Sequence, residues 1–126
     1  MTHNPVGWFE IYVTDLDRSE AFYEAVLGVA IEPLESPDPS AEMRTFPMTE
    51  ETTPGAGGAL VKMADAPIGP GGTMVYFSCE DCAAEAGRVE GAGGNVVQPK
   101  FSIGPYGFCA IASDPDGNVF GLHSRA

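Results

Sequence analysis

Trp8 to Gly28 reads WFEIYVTDLDRSEAFYEAVLG, an apolar run that passes through two aspartates into a helix-period segment and stops on glycine. Side chains alternate between faces along a strand, so Glu10 shares a side with Trp8 and Tyr12. One carboxylate therefore stands in an apolar strand, either as a buried acid with a role or as an acid on a wet face. Asp15 or Asp17 can cap the free N–H groups of the following helix, and Glu20, three residues after Asp17, suits a capping box. Leu16, Phe22, Ala25 and Val26 form the predicted apolar stripe of that helix, and Gly28 is a natural left-handed stop.

The same grammar recurs later in the chain. A shift of 66 positions sets Trp8–Pro33 against MVYFSCEDCAAEAGRVEGAGGNVVQP, Met74 to Pro99, matching Asp15 with Asp81, Glu24 with Glu90, Gly28 with Gly94 and Pro33 with Pro99. Cys82, Ala86 and Val89 supply the second helix stripe. Behind each unit comes a hairpin: GFCAIAS and NVFGLH joined by Asp114-Pro115-Asp116-Gly117 in the second half, and a longer glycine- and proline-rich connection in the first. The plan is βαβββ twice, an α+β fold of two modules. Module one runs over about 6–63, the linker over 64–72 and module two over about 73–124 of a single domain.

Composition narrows the function. A chain of 126 residues with 44% hydrophobic content suits one domain with a real core. Six Lys+Arg against 18 Asp+Glu leave a formal net charge of −12, which repels a phosphate backbone and an anionic bilayer, so neither nucleic acid nor membrane is an expected partner. The apolar run Ala25–Ile31 is far short of the ~20 residues that cross a bilayer. MTHNPVG has neither a basic start nor an apolar signal core, so a cytosolic (cytoplasmic) location is expected, and His3 in this tail reads as solvated. Three cysteines, an odd number without a secretory signal, argue against a disulfide framework.

The double βαβββ plan, with VTDLDRSEAFYEAVLGV early, EDCAAEAGRVEGAGGNVVQP in the middle and SDPDGNVFGLHS at the end, resembles the vicinal oxygen chelate superfamily of glyoxalase I, bleomycin-resistance proteins and extradiol dioxygenases. The resemblance spans nearly the whole chain and implies a cupped mixed sheet with helices on its outer face. It also implies a homodimer with two sites. In metal-using members the first and last strands of each module supply the ligands, and the matching positions here are Trp8, Val61, Met74 and Gly121. These cannot provide the imidazole or carboxylate donors that a divalent ion needs. No Asp, Glu, His or Cys occurs between Thr52 and Ala64, so the late ligand of module one is missing in any register. No metal site and no cofactor is expected, the alternative being a divalent metal at a non-standard place.

Glu10 and His123 are the candidate catalytic pair. Each lies two residues, ~6.6 Å of strand, from a family ligand position and on its face, so both are expected to line the cup as an acid and a base. The plainer alternatives are a Glu10 bonded to a backbone N–H or a cation, and a His123 that is a chain-end residue near water. Trp8, Tyr12, Met74, Tyr76 and Phe108 are the expected lining for a flat or apolar small molecule, with ordinary core packing as the alternative for each. Cys79-x-x-Cys82 has the spacing of half a zinc site or a redox pair; with no second such pair or histidine cluster it reads as packed thiols. GPYG, Gly104 to Gly107, is either a lip over the cavity or a turn before a strand. The functional expectation is a glyoxalase/bleomycin-resistance-type protein holding a small organic ligand without the family metal. The alternative is a lyase or isomerase of a carbonyl compound using Glu10 and His123 or a displaced metal.

Overall fold

The computed structural model describes residues 4–48 and 55–126; His3 lies outside them. The first half runs β1 (Val6–Tyr12), α1 (Leu16–Leu27), β2 (Glu32–Leu34), β3 (Ala41–Thr45) and β4 (Gly57–Met63). The second runs β5 (Thr73–Ser78), α2 (Cys82–Val89), β6 (Asn95–Ser102), β7 (Phe108–Ser113) and β8 (Val119–Ser124). The order is βαβββ twice, and the α+β class stands as the sequence predicts. Two compact units divide the chain inside β1. One is Phe9–Thr73; the other joins the start of β1, up to Trp8, with Met74–Ala126.

In the Phe9–Thr73 unit, β2, β3 and β4 are successive antiparallel partners, and the Val13 N–H donates to the Val61 carbonyl at 2.9 Å. In the other unit β5 is parallel to β8, whereas β8–β7 and β7–β6 are antiparallel. Pro33 and Pro99 fall in β2 and β6, each the last strand of its unit's sheet, and the β6–β7 register shifts between Gln98 and Phe101. Proline has no N–H to give a ladder, so edges and bulges are where it is tolerated.

Of the two possible caps of α1, Asp15 takes the role: its side chain accepts the Arg18 N–H at 3.0 Å. Asp17 instead pairs with Arg44 at 2.8 Å. Gly28 ends the helix with φ +68°. At α2, Asp81 accepts the Ala83 N–H, while the Ser124 hydroxyl takes the Cys82 N–H at 3.0 Å and donates to the Ala126 carbonyl. The DPDG turn is closed by Asp114, whose carboxylate accepts the backbone N–H groups of Asp116 and Asn118.

Each helix covers one face of its own sheet. Under α1 lie Leu16, Ile31, Phe46 and Leu60, with Phe9, Ile11, Val13 and Tyr23 packed against them. Under α2 lie Cys82, Ala86, Ala110 and Leu122, with Phe77, Phe108 and Phe120 alongside. The predicted stripe of α1 is corrected here. Leu16 is buried and Tyr23 joins the core, whereas Phe22 is 58% and Val26 63% exposed, and Ala25 is exposed too. At about 100° per residue, Leu16 and Tyr23 lie almost in line along the helix, while Phe22 and Val26 project well to one side of that line.

Leu60 is fully buried, so Leu60→Ala is expected to cost about 2–5 kcal/mol of unfolding free energy in a denaturant titration. Ser124→Ala strands the Cys82 N–H in a buried place and is expected to cost about 1–3 kcal/mol in the same measurement.

Candidate functional site

With Phe9, Ile11 and Val13 under α1, alternation turns Glu10 and Tyr12 to the helix-free face of the Phe9–Thr73 unit. There the Tyr12 hydroxyl donates to Glu10 Oε1 at 2.7 Å, in a part-buried setting. The acid of the first strand is thus half-buried and held by a phenol two residues along.

In the other unit Phe77, Phe120 and Leu122 pack under α2, which turns Met74, Tyr76, Gly121 and His123 to the opposite face. His123 Nε2 lies 2.6 Å from the Tyr106 carbonyl oxygen. A carbonyl only accepts, so Nε2 carries the proton of this bond and Nδ1 is the accepting nitrogen of the neutral ring. Tyr106 belongs to a 3-10 turn, Gly104–Tyr106, so GPYG is the turn before β7. Trp8 is half-buried in this unit. Phe108 is placed differently from the other lining candidates: it packs with the core under α2, and Lys100 Nζ stands 4.7 Å over its ring.

A model of the Glyoxalase/Bleomycin resistance protein/Dioxygenase superfamily matches residues 6–122. The chain belongs to that superfamily. Among relatives of this glyoxalase-superfamily chain, the CFP32 protein of Mycobacterium tuberculosis, named as a glyoxylase, is 28% identical over 125 residues, covering 91% of this chain and 42% of that protein. The anthracycline biosynthesis protein DauV of Streptomyces sp. is 26% identical over 141 residues, covering 92% of this chain and 45% of its own length. The chain therefore spans less than half of either relative. Among solved structures, a methylmalonyl-CoA epimerase variant from Streptomyces coelicolor in complex with 2-nitronate-propionyl-CoA superposes with a TM-score of 0.71 at 17% identity, covering 96% of this chain and 94% of that one. At that identity the likeness is one of fold.

The positions that the resemblance matches to metal ligands can be compared with the side chains found there. The Val13 N–H to Val61 carbonyl bond in one unit repeats as the Cys79 N–H to His123 carbonyl bond, 2.7 Å, in the other. Val13 and Cys79 are the same 66 positions apart as the repeat, so Val61 corresponds to His123 and Ala59 to Gly121. The sequence match of Val61 with Gly121 is therefore corrected by two residues. Ala59 and Val61 are both almost wholly buried, and neither carries a donor. At Gly121 a Cβ would run into the Tyr76 ring, so that ring takes the space of any side chain at this position. Indole, thioether, methyl and glycine do not fit a divalent ion that asks for nitrogen or oxygen. Among the described residues no group of three or more His, Cys, Asp and Glu side chains is placed to hold a metal ion. No helix among the described residues is long and apolar enough to cross a membrane.

A cavity of about 440 Å³ lies within the Phe9–Thr73 unit and has Tyr12 as its one predicted site residue. Ile11, Arg18, Ser19, Phe22, Tyr23 and Thr73 also line it, and none of these was singled out as a site residue from sequence. The available signal is Phe22 itself, four residues after Arg18 on a helix whose core-facing line passes through Leu16 and Tyr23.

Cys79 and Cys82 are free thiols, and Cys82 is fully buried in the core under α2. Burial, helped by the neighbouring Glu85 carboxylate, pushes the Cys79 thiol up to about 11. A raised thiol stays protonated at neutral pH, and only the thiolate reacts. Iodoacetamide at pH 7.5 is expected to alkylate Cys79 about 100-fold more slowly than an unperturbed cysteine, with the rate climbing until the pH nears 11; mass mapping of the labelled peptide reads this directly.

Proposed function

We propose that this protein is a cytosolic ligand-holding member of its superfamily, which keeps a small organic molecule in the sheet cavity on its helix-free side and does so without the family's metal ion. The observation that carries the proposal is the Tyr76 ring lying on Gly121, where a metal-using relative would need a donor side chain. A protein that sequesters a ligand needs walls rather than a ligand set, and Trp8, Tyr12, Met74 and Tyr76 are the apolar and aromatic groups proposed for that role. The net charge of −12 favours a cationic ligand by raising its local concentration. A homodimer with two sites is part of the proposal.

A second reading has its own observation. The Tyr12 hydroxyl holds the Glu10 carboxylate in a fixed orientation, as a general base requires, and His123 keeps one ring nitrogen for accepting a proton. On this reading the protein is a lyase or isomerase acting next to a carbonyl, with Glu10 and His123 as acid and base or with a displaced divalent metal.

Elemental analysis by plasma mass spectrometry of freshly purified protein is expected to find Ni, Zn, Fe and Mn each far below one ion per chain. Stoichiometric metal that is lost in Glu10→Gln or His123→Ala overturns the metal-free reading. Light scattering after gel filtration is expected to give twice the 13.2 kDa chain mass. For a cationic aromatic dye such as ethidium, Tyr76→Ala is expected to weaken binding whereas Glu10→Gln leaves no turnover to lose. Turnover of an α-ketoaldehyde that disappears in Glu10→Gln selects the enzyme instead.

A further inference from the structure

We propose that the cavity beside α1 is a second binding site, for a small aromatic or bulky apolar carboxylate. It lies beside α1: Ile11 and Val13, which face the helix, line it together with Tyr12 of the same strand, and Phe22, Tyr23, Arg18 and Ser19 form its helix wall. Gly69, Gly72 and Thr73 supply the remaining wall.

Its chemistry is the reverse of the molecule's average. The chain has 18 Asp+Glu, yet no carboxylate lines this cavity, and a guanidinium does. Arg18 spends one donor on the Thr14 hydroxyl, 3.1 Å away, and among the described residues it makes no ion pair within 4.0 Å. The nearby Asp15 carboxylate accepts the Arg18 backbone N–H as the helix cap and also feels the Arg18 charge through space, without forming a hydrogen-bonded ion pair with it. The guanidinium therefore keeps donors for an incoming carboxylate, with the hydroxyls of Ser19 and Thr73 in the same lining. Phe22 is 58% exposed, and its ring meets Tyr23 edge-on with centroids 5.1 Å apart. An aromatic body laid against this pair covers apolar surface that the fold leaves wet.

The loop wall is fixed before any ligand arrives. The Gly72 carbonyl accepts the Tyr12 N–H at 2.8 Å, and the Gly72 N–H donates to the Gly69 carbonyl at 2.7 Å. A side chain at Gly72 would press on the loop backbone at Gly69 and Pro67, so the glycine is what lets this wall close. A volume of about 440 Å³ is within the usual range of small-molecule sites, about 300–1,000 Å³, and accepts a bicyclic acid.

The test uses 2-naphthoate and its uncharged counterpart 2-naphthamide, titrated into the full chain by calorimetry and by amide NMR shifts. Naphthoate is expected to bind with a Kd of about 1 mM or tighter and to move amides of residues 11–23 and 69–73. Naphthamide is expected to bind about 10-fold more weakly or worse, and Arg18→Gln to bring naphthoate down to the amide's level. Phe22→Ala should weaken both probes. Arg18 and Phe22 are exposed, and unchanged melting temperatures of the variants report that the fold is kept. Equal affinity of the two probes, an unaffected Arg18→Gln, shifts confined to other residues, or no saturation by about 10 mM overturns the proposal. Tyr76→Ala, which tests the helix-free face of the other unit, is expected to leave naphthoate binding unchanged.

Discussion

The ring of Phe9 lies over Gly58, where any side chain on β4 would collide with it, and this contact holds β1 and β4 in a single register. A slip of one residue would carry Leu60 out of the core under α1 and bring Ala59 or Val61 into it, because successive strand residues point to opposite faces. The same register sends Glu10 and Tyr12 to the helix-free face and leaves Ile11 and Val13 beside Arg18 and Phe22. The other half uses an aromatic ring on a glycine again, Tyr76 on Gly121, but on the opposite face of its sheet. In one half the device packs a core under a helix; in the other it fills space on the helix-free face.

Local chemistry made most of the fold legible in the sequence. Asp15, Asp81 and Gly28 do at the helix ends what those residue types do in short segments, Asp114 closes its turn, and the two edge prolines mark the ends of the sheets. What local pattern misses is the choice between equivalent solutions. Phe22 and Val26 have helical spacing, but the sheet contacts Leu16 and Tyr23 instead, a choice only the neighbouring strands make. Matching Val61 rather than Ala59 to Gly121 is an error of two residues, which preserves the face and so leaves the apolar alternation undisturbed. Phe108 follows a 3-10 turn, and such a turn resets the phase of alternation before the strand begins.

At the candidate site, residue type is what the sequence makes legible: none of the positions that the resemblance matches to metal ligands carries a nitrogen or oxygen donor side chain suited to a divalent ion, in either register of β4. The hydrogen bonds that fix Glu10 and His123 are not readable, because one depends on a side chain two residues along and the other on the carbonyl of a turn residue. Charge is likewise redistributed by folding. Arg44, Arg88 and Lys100 are engaged with Asp17 and Glu20, Glu85 and Asp81. Partly exposed pairs of this kind add little stability one by one, but they engage three of the six cations, and of the remaining Arg18, Lys62 and Arg125 it is Arg18 that lines the cavity.

The Tyr76 ring on Gly121 also constrains how this chain could change over generations. Placing a histidine or glutamate at position 121 alone would drive its Cβ into the ring and be lost to steric damage before any ion was held. Shrinking Tyr76 first opens the space at the cost of some packing, and only then is a donor at position 121 tolerated. The two substitutions are accessible in one order and blocked in the other, so any donor side chain at position 121 lies behind a prior change at Tyr76.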